Sequence, residues 1–132
     1  MRTLNGMTIA TVILLAAFGY SAAHGQETGP AKISKTAMGQ MLADADGMTL
    51  YTYTRDMTGY SNCNDACASV WLPMTPAVGA VASGDWSIIL RDDGKPQWAY
   101  KGQPLYRFSK DAAPGDMTGD SADKGRWHVA KP

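Results

Sequence analysis

The chain states one motif twice. Leu50-Tyr51-Thr52-Tyr53-Thr54-Arg55-Asp56 recurs as Leu105-Tyr106-Arg107-Phe108-Ser109-Lys110-Asp111, so Leu-Tyr-x-aromatic-x-basic-Asp appears at two places 55 positions apart. A glycine stands at the same offset ahead of each copy (Gly47 and Gly102), and a tryptophan follows each at nearly the same distance (Trp71 and Trp127). The hexapeptides Asp56-Met57-Thr58-Gly59-Tyr60-Ser61 and Asp116-Met117-Thr118-Gly119-Asp120-Ser121 are also nearly the same letters. A short chain with an imperfect tandem repeat is constrained to two related halves. Neither half alone can bury enough apolar surface, so the two must share one core and fold as one unit.

The local signals describe those halves as β. Ile33 to Ala43 reads as one or two short strands, and Asp46-Gly47 as a tight turn that needs a glycine's positive φ. Met48 to Thr54 alternates apolar and polar residues among aromatics, which marks a strand. Ser61 is placed to cap a short helix running from Cys63 to about Val70, with Asp65 near its start. Pro73 and Pro76 stop regular structure, and Ala77 to Gly84 is a small-residue loop. Further strands are expected at Trp86 to Leu90, Gln97 to Tyr100, Leu105 to Phe108 and Arg126 to Ala130. Asp92-Asp93-Gly94 and Lys101-Gly102 turn between them, and Ala112 to Gly125 is a long loop. The expected fold is therefore mostly β: a small single domain of two related antiparallel halves with one short helix.

The pattern Tyr-x-(Phe/Trp/Tyr)-x-x-Asp, held by Tyr51, Tyr53 and Asp56 and again by Tyr106, Phe108 and Asp111, resembles the bacterial secreted-repeat family of predicted lipoproteins named for that motif. Ser61-Asn62-Cys63-Asn64-Asp65-Ala66-Cys67-Ala68, Trp71-Leu72-Pro73, Arg91-Asp92-Asp93-Gly94 and Gln97-Trp98-Ala99-Tyr100 fit the same resemblance, which covers roughly residues 33 to 130. It implies a bacterial envelope compartment and a repeat architecture. It implies no reaction, because that family is of unknown function.

Targeting signals agree with export. Arg2 gives a positive start, Met7 to Phe18 is mostly apolar, and small residues follow through Ala23 and Gly25. Residues 1–25 are read as a signal peptide, 26–32 as a flexible lead-in and 33–132 as a single repeat-containing β domain. The apolar run is shorter than the roughly 20 residues that span a bilayer, so no transmembrane anchor is expected after cleavage. No cysteine stands just after the cleavage region, so no lipid anchor is expected there. The expected location is periplasmic or secreted.

Composition narrows the function classes. The chain has 12 basic and 12 acidic residues, and losing Arg2 leaves one net negative charge. Such a balance offers no footprint for nucleic acid. After cleavage the only histidine is His128, and no nucleophile elbow, zinc helix or phosphate loop occurs. Catalysis is not expected, and no cofactor is expected. The partner is read as an unknown envelope component.

Four sets of residues carry alternative readings. Tyr51, Tyr53, Tyr106 and Phe108, with Trp71, Trp86, Trp98 and Trp127, are either an aromatic platform for a ligand or core. In the second reading Asp56 and Asp111 satisfy the tyrosine hydroxyls or hold the turns that follow. Cys63 and Cys67 form a structural disulfide in the favoured reading, pinning a local turn. The alternatives for that pair are a redox couple or a copper(I) site, to which the six methionines beyond residue 25 and His128 can contribute soft and imidazole ligands. Asp111, Asp116, Asp120 and Asp123 make either a hard-cation loop or, more ordinarily, a solvated turn. The primary function read from these features is a non-catalytic binding or structural role in the envelope.

Overall fold

The computed structural model describes residues 29–132, and residues 1–25, read from the sequence as a signal peptide, lie outside the described residues. The elements in chain order are β1 (Lys32–Thr36), β2 (Gly39–Ala43), β3 (Leu50–Tyr53), α1 (Ala66–Val70), β4 (Trp71–Pro73), β5 (Trp86–Leu90), β6 (Pro96–Tyr100), β7 (Gln103–Pro104), β8 (Tyr106–Phe108), α2 (Ala122–Gly125) and β9 (Trp127–Val129). All strand pairs are antiparallel. The central sheet runs β4-β8-β3-β9, flanked by the β1-β2 hairpin and the β5-β6-β7 sheet.

That order is a strand exchange. The two motif strands β3 and β8 lie side by side at the centre, with Tyr51 opposite Tyr106. The first half's β4 pairs with the second half's β8, and the second half's β9 pairs with the first half's β3. A local twofold axis therefore passes between the two motif tyrosines. Backbone bonds outside the central sheet obey it. Leu42 N donates to Ala130 O at 2.8 Å while Trp98 N donates to Met74 O at 2.8 Å. Ala130 N reaches Leu50 O at 2.8 Å while Met74 N reaches Leu105 O at 2.9 Å.

Because strand side chains alternate, the central sheet presents two buried faces. Tyr51, Tyr106, Trp71, Trp127 and Cys63 fill one. Leu50, Leu105, Met74 and Ala130 point the other way and meet Leu42, Trp98, Trp86 and Ala31 from the hairpins. Burying aromatic and aliphatic side chains of this size contributes roughly 1.5–3 kcal/mol each, which is what a chain with so little regular structure has to hold it together.

Several local expectations are corrected. The helix starts at Ala66, and Asp65 at its N-cap makes no side-chain cap bond. Ser61 does not cap it: its hydroxyl is held by Tyr106 and Arg91 and accepts Cys63 N at 3.3 Å, ahead of the helix. The loop before β9 contains a second helical turn, α2, with left-handed backbone at Ser121, Asp123 and Lys124. β4 forms in spite of Pro73, because it is a sheet edge, where a missing N–H costs no ladder bond. Within the supposed lead-in, Ala31 is buried in the core and Lys32 already belongs to β1. The motif strand is shorter than Met48 to Thr54, running from Leu50 to Tyr53.

The paired glycines sit where the twofold requires. Gly47 and Gly102 have φ of 82° and 83°. Each turn is capped by the loop that follows the neighbouring motif: Gly59 N donates to Gly102 O, and Gly115 N donates to Gly47 O. A Cβ on Gly102 would lie 2.7 Å from Thr58 Cγ2. Gly102→Val is therefore expected to destabilise the fold by more than about 1 kcal/mol through both strain and overlap, read as a lower urea midpoint. An unchanged midpoint would show that neither matters.

Candidate functional site

The motif residues form a reciprocal lock across the two halves. Tyr51 Oη donates to Asp111 Oδ2 at 2.6 Å, and Tyr106 Oη donates to Asp56 Oδ2 at 2.6 Å. Each tyrosine thus satisfies its hydroxyl on the other repeat's aspartate. The second oxygen of each carboxylate holds the loop that follows. Asp56 Oδ1 accepts Asn62 N at 2.7 Å, and Asp111 Oδ1 accepts Thr118 N at 3.0 Å together with the Thr118 hydroxyl. Both expected roles of the aspartates are therefore met at once.

Under the lock lies a column of rings. Tyr53 stacks on Trp127 at 4.2 Å, Trp127 on Trp71 at 3.8 Å, and Trp71 on Phe108 at 4.3 Å between centroids. Tyr51 and Tyr106 close on Trp71 and Trp127 edge-on, at 5.3 and 5.1 Å. The aromatics are core, and they divide: Trp86 and Trp98 pack together in the other cluster. An eight-member ligand platform is excluded by that division and by the burial of Trp71, Trp127, Tyr51 and Tyr106.

Burial, and then the bonds to Asp111 and Asp56, raise the Tyr51 and Tyr106 hydroxyls well above the usual phenol range. Burial also raises the Asp56 carboxyl, opposed by the bonds from Tyr106 and Asn62 N and by Arg91. A phenol that ionises later in the folded chain than in the unfolded one gives its full stabilisation below about pH 10 and loses it as pH rises further. Stability is expected to fall steeply above about pH 10 in urea titrations. Tyr51→Phe and Tyr106→Phe should each cost about 1–3 kcal/mol at neutral pH by stranding a carboxylate oxygen. Each should also flatten the alkaline fall, and a fall as steep as in the parent would contradict the assignment.

The surroundings of the two locks differ. Beside Tyr106 the space is filled by buried polar groups. Ser61 Oγ is 2.6 Å from Tyr106 Oη, and Arg91 Nη1 donates to Ser61 Oγ at 2.9 Å and to Gln97 Oε1 at 2.7 Å. Arg91 Nη2 donates to Cys63 O, and its Nε lies 3.6 Å from Asp93. The twofold identifies the corresponding residues beside Tyr51. Leu42 corresponds to Trp98, so strand register sets Met41 against Gln97 and Thr36 against Arg91. Thr118 corresponds to Asn62, which sets Met117 against Ser61. Arginine, glutamine and serine at one end are threonine and two methionines at the other.

At that second end the structure leaves a cavity of about 420 Å³, lined by Thr36, Met41 and Met117. Met38, Gln40, Thr52, Tyr100, Gln103, Asp120, His128 and Lys131 complete most of its wall. Both halves contribute to it. His128, on β9 opposite Thr52, lies on the sheet face away from the ring column and is exposed. The nearly identical hexapeptides do not coincide under the twofold. Asp56 belongs to the lock, whereas Asp116 ties down its own loop by accepting Ala112 N and Ala113 N, both at 2.9 Å.

Cys63 and Cys67 are joined, with S–S 2.06 Å and Cα atoms 5.2 Å apart. Their sulfurs are bonded to each other and are not thiolate ligands. The cavity wall that includes His128 contains neither cysteine, so the three weak metal candidates are not brought together. The bridge seats α1 against the ring column, since Cys63 and Cys67 both pack there. Changing both to Ala is expected to cost about 1–2 kcal/mol and to leave the fold intact, because the closed loop is short. Complete unfolding, read by circular dichroism, would show that the bridge does more. The acidic loop has four separate tasks: Asp111 serves the lock, Asp116 caps its own turn, Asp120 accepts Val129 N and Asp123 pairs with Arg126. Among the described residues no group of three or more His, Cys, Asp or Glu gathers as a metal cluster.

A family model described as a secreted repeat of unknown function matches residues 32–75 and again 87–131. Those two segments are the two halves related by the twofold, and the chain belongs to that secreted-repeat family. No curated protein and no solved structure matches it. Among the described residues no helix is long and apolar enough to cross a membrane.

Proposed function

We propose that the protein is a non-catalytic binding module of the bacterial envelope, acting in the periplasm or outside the cell, and that its binding site is the cavity lined by Thr36, Met41 and Met117. One observation carries this reading. At the end that includes Tyr106 the repeat closes its interior with Arg91, Gln97 and Ser61, and at the other end the same three places leave room. Two halves under a purely structural demand have no reason to differ in this way, since the closed arrangement is available to both. The open end combines apolar thioethers with a few polar groups (Tyr100, Gln103, Asp120 and His128), the usual make-up of a small-ligand site. The position of both halves in its wall also explains why a tandem chain is needed to form it.

The test uses methionine methyl resonances. Fragments and the low-molecular-weight fraction of an envelope extract should shift the methyls of Met38, Met41 and Met117 and leave Met74, in the opposite core, unmoved. Thr36→Arg places the long cation of the filled end into the open one and should abolish those shifts. Shifts that survive this substitution, or that are absent from the start, would refute the cavity as the site.

A further inference from the structure

We propose that this cavity is a copper(I) site, with the thioethers of Met38 and Met117 and the imidazole of His128 as ligands and Met41 in the wall behind them. The proposal rests on the binding reading above and names the ligand class. Three of the six methionines beyond residue 25 line one cavity, and a histidine lines it with them. Methionine is usually a flexible filler of apolar gaps. Met41 and Met74 serve in that way, being almost wholly buried. Met38 does not: it sits in the turn between β1 and β2 and is 63% exposed. A thioether held at the mouth of a cavity gains little from burial, but it is a soft donor.

Chemistry selects the metal. Thioethers favour Cu(I) over the harder divalent ions, and neutral imidazole completes such a donor set without adding charge. Asp120 does not compete as a hard ligand through Oδ1, which is occupied by Val129 N at 3.1 Å. The cysteines are excluded by their bond to each other. The pseudo-equivalent of Met117 at the filled end is Ser61, a hard oxygen donor, so the exchange puts a soft donor in its place, while Met41 stays filler with its sulfur accepting the Thr49 hydroxyl at 3.9 Å.

The experiment titrates Cu(I) alone, kept reduced with ascorbate, into the exported protein against a chromogenic Cu(I) chelator. One equivalent per chain should be retained, and the Cys63→Ala/Cys67→Ala variant should retain it equally. Met38→Leu, Met117→Leu and His128→Gln keep volume or polarity. Each should weaken Cu(I) binding by about tenfold or more, since even outer-shell changes around a metal cost about 10–100-fold. Unchanged circular dichroism in each variant shows that folding is not the cause. The Met38 and Met117 methyl resonances should move on adding Cu(I) and stay in place on adding Zn(II). Full loss of copper to the chelator, wild-type affinity in a variant combining Met38→Leu, Met117→Leu and His128→Gln, loss of binding with the cysteines, or equal binding of Zn(II) at these residues would each overturn the proposal. If copper fails while small molecules still shift the same methyls, the metal assignment falls and the cavity reading stands. If both fail, both fall.

Discussion

Two hydroxyl-to-carboxylate bonds decide this architecture. A tyrosine buried at the centre of a small domain must hand its hydrogen to something, and here the acceptor lies in the other repeat. Once Tyr51 is committed to Asp111 and Tyr106 to Asp56, β3 and β8 lie side by side, and β4 and β9 close each other's halves. The indole pair at the axis then follows, because Trp71 and Trp127 begin the two exchanged strands. Breaking one bond strands a carboxylate oxygen above the ring column, so the lock and the column support each other.

Much of this was legible in the letters and some was not. The motif's spacing and its glycines give strands, turns and a twofold relation, because alternation and positive-φ turns are local properties. Trp86 to Leu90 is a strand on both counts. The direction of exchange is not local. Tyr51 can satisfy itself equally well on Asp56 or Asp111 as far as spacing goes, and only packing chooses. Pro73 concealed β4 because a proline stops a central strand and is harmless at an edge. The repeated Asp-Met-Thr-Gly does not follow the twofold: the second loop is longer, so Asp116 is not the counterpart of Asp56, which the motif and the structure alike give as Asp111.

The cavity was the least legible feature. Met41 and Met117 are 76 positions apart in sequence and carry no shared pattern. Met41 becomes comparable with Gln97 only after the register of β1-β2 is laid over that of β5-β6, and Met117 with Ser61 only after the two aspartate-held loops are aligned. His128 stood out in the sequence for its rarity, and the structure gives it a different set of neighbours from the cysteines first considered beside it. A repeat provides its own control here: the filled end shows what the fold needs, and the departure at the open end shows what it does not.

The exchanged strands also set an order of events for the growing chain. Tyr53 waits for Trp127, and Leu42 waits for Ala130, so the first half has no finished surface until nearly the last residue exists. Contacts so distant along the chain are slow to form, because a long loop must be closed before any of them rewards the ordering. A protein built this way stays open while it is being made. For a member of a secreted family, that is the state in which a chain can still be threaded through a pore.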